Sequence, residues 1–272
     1  MKAIKRIWNA VFSCTLVILF IFSCGPTQTT TAEKTKVRTK KKLKNQLKVA
    51  AYNVEFSKSA TAEEIGLALK PYDFNIVCFS EAPDGDWTKN VGIAMGLSYV
   101  VIGKYSTASH KDKYKSILSK TPLYGFEEIW MMDRMHTVTK AKTVIDGREI
   151  AVYSLHFPFG VGASAKMENF ANYIKGVQEN EITIALGDYN FTTSSPDYKM
   201  YTDAGLRPSW VDLGIDVSEL DTWNAIDRTK IEGVIDHIMY NPKYVAAIDG
   251  NIIEMKKPLS DHKPVWALLE IK

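Results

Sequence analysis

Apolar residues recur in short runs from Leu47 onwards, and these runs alternate with stretches of helical periodicity. Runs of about four to eight apolar or β-branched residues predict strands, and apolar positions three or four apart predict helices. The predicted strands are 47–56, 74–79, 99–102, 116–118, 126–130, 137–145, 149–155, 182–186, 234–240, a segment near 248–255, and 264–271. The predicted helices are 62–70, which ends at Pro71, and 166–178.

These elements favour two packed sheets covered by helices, because about ten strands and their helices share residues 47–272. Asp146-Gly147, between two of the predicted strands, is a strong signal for a two-residue hairpin. Hairpins mixed with strand–helix–strand units argue against a pure parallel barrel. The sequence therefore predicts one α+β domain that extends from residue 47 to residue 272.

The first 24 residues have the layout of a secretory signal peptide. Lys2, Lys5 and Arg6 precede an almost unbroken apolar run at 11–22, which ends in a small residue and Cys24. A small residue directly before a cysteine resembles the bacterial lipobox, after which the cysteine is acylated. An uncleaved anchor is the alternative, but the run is short for a span that needs ~20 apolar residues. We expect a lipoprotein anchored through lipidated Cys24 to a bacterial membrane, with its domain outside the cytoplasm.

Charge is distributed unevenly along the chain. Residues 1–46 carry ten Lys/Arg and one acid, which leaves 24 Lys/Arg against 30 acids in residues 47–272. Residues 25–46 are rich in Thr and Lys, cannot bury a core, and are expected to form a flexible tether. This tether either contacts anionic lipid head groups or is merely solvated, and the second interpretation is favoured. The acidic domain weakens an interpretation as a broad, non-specific DNA binder.

The cysteines exclude a disulfide-stapled domain. Cys14 would leave with the signal peptide and Cys24 would carry lipid, so Cys78 is the one that remains. Cys78 lies in the apolar run 76–79, where a buried structural thiol is favoured over a nucleophile. Nothing after residue 24 is apolar for long enough to cross a membrane.

Three predicted strands end in a polar residue that can do chemistry. Asn53 follows the apolar residues of the first strand, where an amide is most often a turn former. Glu81 follows the apolar run 76–79, so its carboxylate must reach water or a cation, and Mg²⁺ prefers such oxygen ligands. His156 stands at a strand exit, where a lone imidazole is more often structural than catalytic.

Two later segments carry pairs of such residues. Asp188 and Asn190 are two apart, so in an extended chain they point to the same side, one to hold a metal or water and the other a phosphate oxygen. Gly187 before them permits close backbone approach. Asp261 and His262 adjoin at the mouth of the last strand and could supply a ligand and an acid or base.

A further fragment, 235–238, offers Asp236 as a carboxylate that can orient the His262 imidazole. Its neighbour His237 would face the other side and pack in the core. Each of these segments alone has a structural explanation, such as a turn, a cap or a satisfied core histidine. No such structural explanation covers all of the segments together in this order.

The segments YNVE (52–55), VCFSE (77–81), SLHFP (154–158), GDYN (187–190), IDHI (235–238) and SDHKPV (260–265) resemble the ordered motifs of the endonuclease/exonuclease/phosphatase family. That superfamily includes pancreatic deoxyribonuclease, abasic-site endonucleases, neutral sphingomyelinases and inositol polyphosphate phosphatases. The resemblance covers residues 47–271, with GDYN and SDH as its most specific signatures, and SILSK (116–120) is similar to a recurrent strand of the family.

The resemblance implies a four-layer α/β/β/α sandwich, with the site where the two sheets open and with Mg²⁺ or Mn²⁺ as cofactor. It also implies a role for each matching residue. The metal ligands would be Glu81 as the principal one, with Asn53 and Asp261 near the metal. Asp188 would position or deprotonate the attacking water, and Asn190 would hold a phosphate oxygen. His262, oriented by Asp236, would act on the phosphoryl group, and His156 would be a phosphate ligand or a proton donor to the leaving group.

The sequence departs from the family pattern in two places. Deoxyribonuclease-like members have a second carboxylate that partners the histidine corresponding to His156, whereas this chain has Tyr114-Lys115-Ser116 near the expected place. The usual Gln before the metal-binding Glu is Ser80 here. The role of His156 therefore stays open, as does the choice of Asp188 or His262 as the base.

The expected activity is that of a metal-dependent phosphodiesterase or nuclease-like hydrolase, acting as a monomer. Loops decide the substrate in such a fold, so nucleic acid, phospholipid head groups and sugar phosphates are all substrate classes to consider. A phosphomonoesterase or sphingomyelinase-like hydrolase is the alternative enzyme, and an inactive binding or scaffold lipoprotein is the alternative from another class. Trp87, Trp210 and Trp223 could line a pocket, although packing is favoured for each of them.

Overall fold

Apolar alternation in the sequence corresponds to strands in the computed structural model, which describes residues 44–132, 134–227 and 233–272. The strands are β1 (Gln46–Asn53), β2 (Ile76–Ala82), β3 (Tyr99–Ile102), β4 (Tyr114–Ser119), β5 (Tyr124–Trp130), β6 (Thr137–Ile145), β7 (Arg148–His156), β8 (Thr183–Asp188), β9 (Arg207–Pro208), β10 (Asp236–Tyr240), β11 (Val245–Ile252) and β12 (Val265–Ile271). The helices are α1 (Ala62–Leu69), α2 (Trp87–Met95), α3 (Ala163–Val177), α4 (Pro196–Asp203) and α5 (Ser209–Leu213). The predicted signal peptide, Cys24 and most of the tether lie outside the described residues.

The strands form two six-stranded sheets. The first has the order β11-β12-β1-β2-β4-β3 and the second the order β5-β6-β7-β8-β10-β9. Each sheet contains one parallel pair, β1 with β2 and β7 with β8, and the other described pairs are antiparallel. Mixed sheets of this kind confirm the predicted α+β class and exclude a parallel barrel.

The core has three layers of apolar contacts, because the central strands are buried on both faces. Val49 of β1 points to the interior between the sheets, where Ile184 of β8 also lies. Tyr52 of the same strand belongs to the outer cluster that contains Ile65 of α1. On the other side, Phe170 of α3 covers the outer face of the second sheet. Successive residues of a strand point to opposite faces, so one strand contributes to two layers. The predicted four-layer α/β/β/α sandwich is thereby confirmed.

Two strand boundaries differ from the prediction in a way that affects the site. β1 ends at Asn53 instead of continuing to residue 56, because the Asn53 Oδ1 atom accepts a hydrogen bond from the Glu55 N–H at 3.1 Å. Glu55, Phe56 and Ser57 then have positive φ angles, which are incompatible with a continued strand. β2 continues to Ala82, so Glu81 lies within the strand and not after its end.

Helices α2, α4 and α5 were not predicted from the sequence, and α3 begins three residues before the predicted start. α2 contains Gly92, which lowers helix propensity. A Cβ atom at Gly92 would lie 2.8 Å from the Leu118 side chain, so this glycine allows α2 to pack closely on β4. Among the described residues, no helix combines the length and apolar character needed to cross a membrane.

Cys78 is buried in β2 and forms no disulfide. Burial raises the pKa of its thiol, which disfavours the thiolate that a nucleophile requires. The prediction of a structural thiol agrees with this position.

Candidate active site

Adjacent strands place three polar residues in one row at the end of the second sheet. His156 of β7 pairs with Asp188 of β8, and Asp188 pairs with Asp236 of β10. Asn53, at the end of β1 in the first sheet, faces this row, and its Nδ2 atom donates to Asp188 Oδ2 at 2.9 Å. Residues from distant parts of the sequence therefore meet where the two sheets open.

Asp188 is the central residue of this cluster. Its side chain is almost fully buried, and its Oδ2 atom lies 3.6 Å from His156 Nε2 and 3.8 Å from His262 Nε2. Burial raises the pKa of Asp188 to about 7, against the opposing effect of the charge on His262. A carboxyl group with this pKa can accept a proton near neutral pH.

The backbone around Asp188 depends on a glycine. Gly187 has a φ of 149°, and a Cβ atom there would lie 2.2 Å from the Leu155 carbonyl oxygen, so the predicted close backbone approach is confirmed. The prediction of an extended chain through Asn190 is wrong, since β8 ends at Asp188 and Asn190 has a φ of 53°. Asn190 instead donates its N–H to Asp188 Oδ1 at 2.8 Å and its Nδ2 to the Phe157 carbonyl at 2.7 Å.

His262 forms a buried ion pair with Asp236. The His262 Nδ1 atom lies 2.8 Å from Asp236 Oδ2, so the other ring nitrogen faces Asp188. Burial alone would lower the pKa of His262, but the charges of Asp236 and Asp188 raise it to about 10. His262 is therefore a cation at neutral pH. The backbone of Asp236 is held by the Thr222 hydroxyl, which accepts its N–H at 3.1 Å.

Asp261 lies at the border of the cluster. The Ser260 hydroxyl lies 3.2 Å from Asp261 Oδ1 and 2.8 Å from the Asn53 carbonyl oxygen, so it links these two residues. Burial raises the pKa of Asp261, partly offset by the charge of His262. Asp261 is more exposed than Asp188 or Asp236.

Glu81 reaches the cleft through an irregularity in the sheet. The pairing of β2 with β4 shifts register between Phe79 and Ala82, and Glu81 has a φ of 51° at this bulge. Bulges of this kind commonly redirect a side chain next to an active site. The Glu81 carboxylate lies 3.5 Å from His156 Nε2 and 3.3 Å from Lys113 Nζ.

His156 has cationic neighbours where the family pattern has a carboxylate. Burial, and then the charges of Lys115 and Lys113, hold the pKa of His156 well below its ordinary value. His156 is therefore neutral at pH 7. Its Nδ1 atom lies 3.4 Å from the Thr107 hydroxyl, and its Nε2 atom faces Glu81 and Asp188.

Lys115, Thr107 and Ser80 contribute to the site although the sequence did not identify their roles. Lys115 is fully buried and donates to the Tyr105 carbonyl at 2.9 Å, and burial lowers its pKa to about 8. The Ser80 hydroxyl joins the two sheets, because it donates to the Leu155 carbonyl at 2.7 Å and accepts the Asp188 N–H at 3.3 Å. The signal in the sequence was the departure from the family pattern at positions 80 and 115, which left the roles of these residues open.

The aromatic and imidazole residues outside the cluster have structural contacts. Trp210 Nε1 donates to His237 Nδ1 at 3.1 Å, and His237 Nε2 in turn donates to the Phe191 carbonyl at 2.9 Å. His237 is therefore a neutral core histidine, as predicted, and burial lowers its pKa to about 4. Trp87 packs edge-on against Phe79.

Of the three tryptophans that could line a pocket, Trp223 is the well-exposed one, at 42%, and its backbone pairs with that of His262. Trp223 thus lies next to the site, where a substrate could reach its ring.

The oxygen-rich residues of the cluster fit a hard divalent cation such as Mg²⁺ or Mn²⁺. The potential ligand atoms of Asp188, Asp236 and His262 lie within 4.8 Å of one another. A cation among these three would compete with the short bond between Asp236 and His262. A cation at Glu81 would instead replace the 3.3 Å contact between Glu81 and Lys113. Asn53 belongs to the same cluster, because its side chain donates a hydrogen bond to Asp188. The chemistry of the donors therefore favours the Glu81 side.

A family model for the endonuclease/exonuclease/phosphatase family matches residues 50–262 of the chain. No curated protein matches the chain. Solved structures share the fold at low sequence identity. An endonuclease/exonuclease/phosphatase from Beutenbergia cavernae has a TM-score of 0.67 and 15% identity, with 84% of this chain and 72% of that chain covered.

Two further structures have named activities or ligands. TDP2 from D. rerio, complexed with a single-strand DNA product, has a TM-score of 0.66 and 14% identity over 83% of this chain and 99% of that chain. A mannosyl-6-phosphatase from Bacteroides thetaiotaomicron has a TM-score of 0.64 and 17% identity, with 82% of this chain and 99% of that chain covered. These identities support the fold and not a shared substrate. Because the family model matches most of the chain, the chain belongs to the endonuclease/exonuclease/phosphatase family.

Proposed function

We propose that the chain is a metal-dependent phosphoester hydrolase that cleaves phosphodiesters in the manner of a nuclease. The observation that carries this proposal is the position of Asp188 Oδ2 between the Nε2 atoms of two buried histidines, 3.6 Å from His156 and 3.8 Å from His262. In this arrangement the carboxylate can accept a proton from a water nucleophile while the two imidazoles contact the phosphoryl group.

Asp188 is assigned as the base that takes a proton from the attacking water. Its pKa of about 7 matches this task at neutral pH. Hydrogen bonds from Asn53 and from the Asn190 N–H fix the carboxylate, so that little reorganisation is needed when the proton transfers.

His262 is assigned as a cationic donor to the phosphoryl oxygens. Asp236 occupies its Nδ1 atom, which leaves the Nε2 proton directed into the cleft. Phosphoryl transfer needs fixed donors and positive charge more than it needs covalent chemistry. His156, which stays neutral, is assigned as a phosphate ligand, and Asn190 as a second one.

A divalent cation held by Glu81, with Asn53 and Asp261 nearby, would neutralise charge on the phosphoryl oxygens. Before such a cation binds, Lys113 and His156 balance the Glu81 carboxylate. The protein groups thus supply the base, the hydrogen-bond donors and the carboxylate that this chemistry requires.

A phosphomonoesterase is the second candidate, favoured by Lys113 and Lys115 near His156. A phosphomonoester is a dianion, and these two cations place positive charge where deoxyribonuclease-like members have a carboxylate. The similar fold of a mannosyl-6-phosphatase makes a sugar phosphate a reasonable substrate to test.

The test uses the purified protein with supercoiled plasmid and with p-nitrophenyl phosphate, in Mg²⁺ and in EDTA. We compare the native protein with Asp188→Asn and with Asp203→Asn, a control at an exposed carboxylate on α4. Plasmid nicking that needs Mg²⁺ and disappears only in Asp188→Asn would support the proposal. Hydrolysis of p-nitrophenyl phosphate without nicking would select the phosphomonoesterase. A folded protein that hydrolyses neither substrate would refute both candidates.

We also propose that the chain is a lipoprotein on the outer side of a bacterial membrane. The support is the signal-peptide layout and the small residue before Cys24. Labelling of cells with radioactive palmitate should mark the native protein and not Cys24→Ala. Equal labelling of both proteins, or labelling of neither, would refute the anchor at Cys24.

A further inference from the structure

A basic pocket lies beside the His156 end of the cleft. It has a volume of about 270 Å³, and its lining includes Lys104, Tyr105, His110, Lys111, Trp130 and Arg134. No acidic residue is among the described residues that line it. Such a concentration of cationic side chains, in a domain that is acidic as a whole, indicates a site for an anion.

The basic pocket and the catalytic cleft share one wall, the segment 104–111. Thr107, in the middle of this segment, directs its hydroxyl to His156 Nδ1 at 3.4 Å. Its N–H donates at 3.1 Å to the carbonyl of Lys113, whose own Nζ contacts Glu81. Lys104 and Lys111, on either side of Thr107, line the pocket. A ligand bound at His156 is therefore separated from the pocket by a single segment of chain.

In the part of the chain that the structure describes, the cations of the basic pocket are not neutralised by carboxylates. Within the described residues, the side chains of Lys111 and Arg134 have no carboxylate partner. The Lys104 ammonium lies over the Tyr105 ring at 5.4 Å. The Ser106 hydroxyl, which also lines the pocket, is buried and has no hydrogen-bond partner among these residues.

Two aromatic rings form one side of the pocket. The centroids of Tyr105 and Trp130 are 4.5 Å apart, and both side chains are more than a third exposed. Exposed aromatic rings beside cationic groups are suited to a ligand that has both a ring and a phosphate.

We propose that the basic pocket binds a second phosphate group of the substrate, on the His156 side of the phosphoester that is cleaved. The proposal rests on the proposed phosphoester hydrolase activity and specifies its substrate class as a compound with two phosphates and a ring between them. Lys104, Lys111 and Arg134 would contact the second phosphate through charge-assisted hydrogen bonds. The rings of Tyr105 and Trp130 would contact the sugar or base.

The test compares two substrates that differ only in the second phosphate. These are the p-nitrophenyl ester of thymidine 5′-phosphate and the same ester with a 3′-phosphate. The native protein should prefer the 3′-phosphorylated ester by about tenfold or more in kcat/KM, which is the effect expected for charge-assisted hydrogen bonds. In Lys104→Gln/Arg134→Gln this ratio should fall towards one. The control Lys175→Gln/Lys199→Gln, on α3 and α4, removes the same charge and should keep the native ratio.

A native ratio near one, or a ratio unchanged in Lys104→Gln/Arg134→Gln, would overturn the proposal. If neither ester is hydrolysed, binding of inorganic pyrophosphate in EDTA, measured by calorimetry, tests the pocket separately, and the plasmid assay decides on the proposed function. Pyrophosphate should bind about tenfold or more weakly to Lys104→Gln/Arg134→Gln than to the control. Equal binding to the two variants would overturn the proposal even then.

Discussion

The two ends of the cleft hold histidines with different charged neighbours. At one end, His262 lies between Asp236 and Asp188, and these carboxylates raise its pKa to about 10. At the other end, His156 lies near Lys115 and Lys113, and burial together with these cations holds its pKa well below the ordinary value. Burial lowers the pKa of both imidazoles, and for His262 the charges of Asp236 and Asp188 outweigh that effect.

This difference separates the tasks of the two histidines. His262 can offer a charged donor to the phosphoryl group, whereas His156 can offer only a neutral one. Asp188 lies between them and is shared by both ends. The cleft therefore has one end where carboxylates hold a charged imidazole, suited to proton transfer. At the other, cation-rich end, Lys113 and Lys115 lie near a neutral imidazole and the Glu81 carboxylate. Substitutions at each end test this division.

Removal of the charged imidazole should have the largest effect. We expect His262→Ala to lower kcat by about 10³-fold or more, because it removes a cationic donor from the reacting group. His156→Ala should lower kcat by about 10- to 100-fold, since a neutral hydrogen bond is weaker. Steady-state kinetics with the best substrate from the plasmid and ester assays, with circular dichroism as a check on folding, makes this comparison. Equal losses in the two variants would contradict the division of tasks.

A side chain at Gly187 should destabilise the strands that carry Asp188 and His156, and so affect both ends of the cleft. In Gly187→Ala the new Cβ atom would lie 2.2 Å from the Leu155 carbonyl, so β7 and β8 must move apart next to Asp188. We expect a loss of about 3 kcal/mol or more in the free energy of unfolding, measured in urea. Gly176→Ala is the control, because a Cβ atom at this helical position meets no atom within 4 Å. Similar stabilities for both variants would show that the close approach at Gly187 is not needed.

The buried lysine at the cation-rich end should make stability depend on pH. Lys115 has its pKa lowered by burial to about 8, so the cost of burying its charge is fully present below pH 8 and is relieved as the pH rises towards the ordinary lysine value. The native protein should therefore gain stability relative to Lys115→Met between pH 7 and pH 10, by about 2 kcal/mol. Urea unfolding of both proteins at the two pH values measures this change.

The control for this prediction is Lys175→Met at an exposed position of α3. Its difference from the native protein should be the same at both pH values. If Lys115→Met also shows a constant difference, Lys115 keeps its proton over this range and the cation-rich end is more polar than its burial indicates.

The hydroxyl that links the two sheets should have the smallest effect. In Ser80→Ala the bonds to the Leu155 carbonyl and from the Asp188 N–H are lost. We expect a loss of about 1 kcal/mol in the free energy of unfolding and less than a tenfold change in kcat. A loss of activity comparable to that of His262→Ala would mean that Ser80 positions Asp188 more strongly than its contacts suggest.

Much of the fold and of the site cluster followed from the sequence. The apolar run from Leu47 predicted the strand that became β1, and the motif around Gly187 and Asp188 predicted a close backbone approach. The position of Asn190 was not predictable in the same way, because the strand ends at Asp188 and a left-handed turn replaces the extended chain. Helix α2 was missed because its glycine, which weakens the helical pattern, serves a contact with β4.

The sequence by itself determined the domain, its family and the residue types available for chemistry, since periodicity and motif order are local properties of the chain. Only the tertiary structure decided what each of those residues can do. The bulge that directs Glu81 into the cleft, and the charges around each histidine, arise from contacts between residues far apart in sequence. A pKa depends on burial and on the distance to other charges, and neither of these is encoded in the spacing of a motif.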